Sequence, residues 1–186
     1  MIALTRSKGA SSPQASSAPL ASSGPDLGEP NGLASIEAAA ALLEEVQSAD
    51  EVVEALVSGM APAGARLLVL AVRGGLCVGR SGSGPLRDSA AAKAVAIAIS
   101  DSRVIQQALR EGFYLGYLPD DAAHAELLRV LEHPRAEVAL QVVYAAGREV
   151  LVLVTAGFDN SYLLTRRMDQ LARAAGRALD RLLGRA

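Results

Sequence analysis

The chain has 186 residues, 18 basic against 20 acidic side chains and 51% hydrophobic content, which suits one domain with a substantial core. Four Tyr, two Phe and no Trp leave Ala, Leu and Val to build that core and argue against a site that stacks flat rings. A net charge of −2 offers no concentrated basic footprint for nucleic acid, the single Cys77 excludes an internal disulfide, and two histidines leave metal and general-base chemistry short of residues.

Residues 1–32 hold seven Ser, four Pro and four Gly with balanced charge, the composition of a disordered tail, so the folded domain is expected over 33–186. The first residues lack the apolar stretch of a secretory signal, and no apolar run reaches the roughly eighteen residues a bilayer span needs. A cytoplasmic protein without membrane insertion is the expectation.

From Ala34 the pattern turns helical, with Ser35 as a cap and Ile36, Ala40 and Leu43 on one face. Ser48 or Asp50 caps a second helix carrying Val52, Val53, Leu56, Val57 and Met60, which ends in the Gly59–Gly64 segment. Residues 66–73 and 76–79 read as two strands joined by Gly74-Gly75, a hairpin signal because both positions tolerate positive φ. Residues 79–85 (GRSGSGP) read as a flexible loop, and residues 94–100 (AVAIAIS) as a strand.

Asp101 or Ser102 then caps a short helix that Gly112 terminates, and residues 113–118 (FYLGYL) form a strand in which Gly116 marks a bulge. Pro119-Asp120-Asp121 turns the chain into a further helix ending at His133-Pro134. Residues 137–144 and 149–156 are two strong strands around a short connection, and Asp159-Asn160-Ser161 leads into the last helix. There Leu164, Met168, Leu171, Ala175, Ala178 and Leu182 recur at alternating spacings of four and three, a seam suited to packing on another helix. Five or six strands with hairpins and no βαβ rhythm imply an α+β fold: a central antiparallel sheet with the N- and C-terminal helices packed on one face.

Charge is unevenly distributed. Residues 33–65 sum to −6 and residues 165–186 to +4. Two terminal helical segments of opposite sign, each with an apolar stripe, should lie side by side. Arg173, Arg177 and Arg181 form a ridge at i, i+4 spacing that needs acidic company, either from the first helix of the same chain or from that of a second copy. The seam and this ridge are therefore the candidate interface for a homodimer.

Few motifs carry chemistry. The 79–84 run lacks the Lys and hydroxyl residue that follow the last Gly of a phosphate-binding loop, because Pro85-Leu86 stands there. If an anion binds, Arg80, Arg87 and Arg103 are the nearby cations. Cys77 reads as a small apolar packing residue. His124 and His133, nine residues apart on one helix at about 100° per residue, face opposite ways and share no metal; His133 suits a helix C-terminus.

The order of elements, with residues 48–53 (SADEVV), the strand at 67–72, residues 94–102, Gly112-Phe113-Tyr114-Leu115-Gly116, residues 138–143, Gly147-Arg148-Glu149 and residues 150–154, resembles a divergent, cofactor-less GAF domain of proteobacterial regulatory proteins. The resemblance covers nearly all of residues 34–186. It implies helices packed on one face of an antiparallel sheet and dimerisation through the terminal helices. Bilin-binding forms need an attachment Cys that Cys77 does not supply, methionine-sulfoxide-reducing forms need several cysteines, and recognition residues for cyclic nucleotide or haem are not found. The expectation is a non-enzymatic regulatory or scaffold module with an unidentified protein partner and no cofactor. The alternatives are a small-ligand sensor with its pocket between the sheet and the 79–116 segment, and a roadblock- or longin-like regulator of a small GTPase.

Overall fold

The computed structural model describes residues 30–132 and 137–184. The expected tail over residues 1–29, and the helix stop at His133-Pro134, lie outside these residues. Among the described residues, six α-helices and six strands follow in the order α1 (Pro30–Glu45), α2 (Ala49–Met60), β1 (Arg66–Arg73), β2 (Leu76–Gly82), α3 (Ala90–Ala94), β3 (Ala96–Ala98), α4 (Arg103–Glu111), β4 (Phe113–Tyr117), α5 (Ala125–Leu131), β5 (Glu137–Ala145), β6 (Arg148–Ala156) and α6 (Ser161–Leu183).

The strands form one antiparallel sheet in the order β3-β2-β1-β6-β5-β4. Its central strands are buried on both faces, because alternate side chains feed two separate cores. Leu67 and Val69 of β1 and Leu153 of β6 join α1, α2 and α6 in one cluster. Leu68, Leu70, Val152 and Val154 join α3, α4 and α5 in the other. The expected α+β architecture, with terminal helices on one face, is what forms.

Local chemistry explains most boundaries. Ser48, Ser102 and Asn160 cap α2, α4 and α6 through side-chain oxygens that accept from Glu51, Ile105 and Leu163 N–H. Gly112 ends α4 at φ 82°. Both two-residue hairpin turns, Gly74-Gly75 and Ala146-Gly147, have positive φ throughout, the geometry that matches strand twist.

Four expectations need correction. The first helix begins at Pro30, so Ser35 lies inside it and not at its N-terminus. Residues 79–82 are strand instead of flexible loop, because their glycines serve close approach: a Cβ on Gly79 would collide with the Ala92 carbonyl, and one on Gly82 with the Leu67 carbonyl. The Ala-rich run at 94–100 keeps only three strand residues, since Ser89 caps Ala90–Ala94 as a helix and Ile99–Asp101 forms a 3₁₀ turn. Finally, Gly116 is no bulge; its register with Val138 is regular, and its bare Cα makes room for the Tyr114 ring.

Candidate functional site

Where the sequence places terminal helices of opposite sign together, the structure packs α6 against α1 and α2, but charge is matched differently from the expectation. The seam residues Leu164, Met168, Leu171, Ala175 and Ala178 are buried within the chain, and Leu182 packs against the same core. They are unavailable to a second copy. Arg181 donates from Nη2 to the Leu43 and Glu44 carbonyls at 3.1 and 2.7 Å, satisfying the end of α1 with a cation instead of meeting a carboxylate. Arg173 pairs with Asp169 on its own helix at 2.9 Å, and Arg177 is exposed without an ion pair among the described residues.

Asp50 and Glu54 of α2 turn instead to two of the candidate anion ligands. The register of β1 with β2 slips by one residue at Val69/Leu70, and the extra residue is Arg80, which meets Asp50 at 2.5 Å. Arg87 meets Glu54 at 3.0 Å and donates to Ser58 Oγ at 3.0 Å. Arg103 stands exposed in the first turn of α4, whose inner residues pack on the other face of the sheet. The three arginines therefore do not converge. The space between the sheet and the 79–116 segment, where the ligand-sensor alternative needs a pocket, holds Leu86, Ala92, Val95, Ile97, Ile105 and Ala108 packed on the strands.

The concave surface is elsewhere. A groove of about 860 Å³ runs between α6 and the β4–β5 side of the sheet. Gly176 sets its depth, because a Cβ there would strike the Tyr144 carbonyl, so α6 approaches β5 as closely as backbones allow. Asp180 accepts from Ala146 N–H at 2.5 Å and pins the hairpin tip to the helix. Tyr144 donates its hydroxyl to the Leu109 carbonyl at 2.9 Å; burial, and secondarily the charge of Glu149, raise its pKa above the usual tyrosine value. Tyr162, Arg166, Arg173 and Arg177 line the helical wall.

A second constellation was not legible in the sequence. Asp121 Oδ1 accepts from His124 Nδ1–H at 2.7 Å, and the Ser102 hydroxyl donates to His124 Nε2 at 2.7 Å. The carboxylate sets the imidazole tautomer, as in a hydrolase relay. His124 and the backbone N–H it offers hold the Asp121 carboxyl below its ordinary pKa. Yet Ser102 is fully buried and its oxygen already accepts from Ile105 N–H at 3.1 Å, so no substrate carbonyl can reach it. The relay joins the cap of α4 to the start of α5. Its only local signal was Asp121 and His124 at i, i+3; Ser102 is 22 residues from His124.

Cys77 is buried in β2, and desolvation pushes its pKa to about 11, as suits a packing residue. No group of three or more metal-ligating side chains occurs among the described residues, and none of their helices is long and apolar enough to cross a membrane.

The chain matches no protein-family profile and no curated protein sequence. Solved structures do resemble it. The GAF domain of an Acinetobacter phosphoenolpyruvate-protein phosphotransferase superposes with a TM-score of 0.63 at 12% identity, over 86% of this chain and 98% of that one. A free methionine-R-sulfoxide reductase from Neisseria meningitidis gives 0.64 at 10% identity, over 86% and 96%. Residues 122 to 287 of a methyl-accepting chemotaxis protein give 0.63 at 13%, over 82% and 98%. The fold is thus a divergent GAF-like one.

Proposed function

We propose that the protein is a non-enzymatic regulatory or scaffold module that acts through protein–protein contact and pairs with a second copy through the outer faces of its terminal helices. The carrying observation is unmatched charge: Glu37, Glu44 and Glu45 on α1 and Arg166 and Arg177 on α6 are exposed and make no ion pair among the described residues. A two-fold axis would set α1 of each copy against α6 of the other, answering acid with base twice over. Exposed Leu42 and Leu163 on the same helices add apolar area. The likeness in fold to residues 122 to 287 of a methyl-accepting chemotaxis protein agrees with a regulatory role.

Light scattering on the full chain tests this. Arg166→Glu with Arg177→Glu should lower the assembly mass, and adding Glu37→Arg with Glu44→Arg should restore it. An unchanged mass after charge reversal overturns the reading.

A further inference from the structure

We propose that β4 is a second self-association surface, pairing edge to edge and antiparallel with β4 of another copy, centred on Leu115. This goes beyond the helix-mediated contact and does not depend on it.

β4 ends the sheet, with β5 on one side and, among the described residues, no strand on the other. The Gly112 carbonyl accepts from Val142 N–H at 2.9 Å, and this sets the antiparallel alternation: Tyr114 and Gly116 turn their backbone groups to β5, while Phe113, Leu115 and Tyr117 turn theirs outward. The Tyr117 carbonyl accepts from the Tyr114 hydroxyl at 2.9 Å and keeps a second lone pair. Edges of this kind are normally blunted by charge, proline or shortness. The opposite edge follows that rule, for β3 is three residues long. β4 has five residues, none charged and none proline.

The strand is also self-complementary. Rotated about Leu115, its outward residues meet as Leu115 with the partner's Leu115 and Phe113 with the partner's Tyr117, each pair able to exchange backbone hydrogen bonds. Phe113 packs toward the α6 face, so Leu115 and Tyr117 share that face by strand alternation. They are 39% and 66% exposed in the single chain. Pairing would lay Tyr117 of one copy beside Phe113 of the other, a favourable cross-strand aromatic contact. With no charge on the strand, self-pairing sets no like charges opposite one another.

The experiment reads mass and amide exchange on the full chain. Two contacts per chain build an assembly larger than a dimer; the Arg166→Glu/Arg177→Glu background, which removes the helix contact, should reduce it to a dimer, and adding Leu115→Lys should halve that mass with an unchanged circular dichroism spectrum. Exchange of the Phe113, Leu115 and Tyr117 amides should slow as concentration rises, while Tyr114 and Gly116 stay protected throughout. A monomer in the charge-reversed background, with those three amides exchanging freely at every concentration, overturns strand pairing and leaves the helix contact standing. Slowing that appears only when a different protein is added overturns the second copy as occupant. Conversely, an assembly insensitive to charge reversal and halved by Leu115→Lys upholds strand pairing and removes the helix contact.

Discussion

The hydroxyl of Ser102 lies 2.7 Å from Nε2 of His124, a buried contact that ties the cap of α4 to the residue that opens α5. Ser102→Ala removes both that hydrogen bond and the cap on Ile105 N–H, leaving buried polar groups unpaired. Destabilisation of about 1–3 kcal/mol is expected, read as a lower urea midpoint at unchanged slope. His124→Ala should fall in the same range, and the double variant should be less costly than the two singles added, because the groups share one network.

The same relay gives stability a dependence on acid. Asp121 has a folded pKa below its ordinary value of 3.8, so its contribution is complete above that value and disappears as pH falls through the folded pKa. Urea midpoints of the wild type should therefore decline over this acid range more steeply than those of Asp121→Asn. Parallel curves would show that the carboxylate contributes nothing through His124.

Arg181 closes the end of α1 with two hydrogen bonds to backbone carbonyls. Arg181→Ala should cost about 0.5–1.5 kcal/mol and speed amide exchange in α1 before any other element. Arg181→Lys should recover only part, since an ammonium lacks the planar fork.

Cys77, with its pKa near 11 and no exposure, should resist thiol reagents at neutral pH in the native protein. Labelling should follow global unfolding in urea, with the same midpoint as circular dichroism. Fast labelling in native buffer would place the thiol outside the core.

Helices and strands were legible wherever a local rule operates. The spacing of Leu164, Met168 and Leu171 marks α6, Gly112 marks the end of α4, and Gly74-Gly75 marks the first hairpin, because periodicity, caps and turns act between residues a few positions apart. Misreadings arose where a residue type has two uses. The glycines at 79 and 82 suggest flexibility in sequence, yet they permit contact with Ala92 and Leu67, which no local pattern announces. Likewise the Ala-rich run before Ser100 suits helix and strand alike, and the cap at Ser89 decides in favour of helix.

By itself the sequence determined an antiparallel α+β fold with oppositely charged terminal helices, since alternation, spacing and net charge survive without any knowledge of neighbours. Only the tertiary structure decided which charges meet. It gave Asp50 to Arg80 and Glu54 to Arg87, spent Arg181 on carbonyls, filled the expected pocket with core and assembled Ser102, Asp121 and His124. Such pairings depend on the sheet order and on one-residue slips of register, and these are settled by burying both faces of the sheet at once.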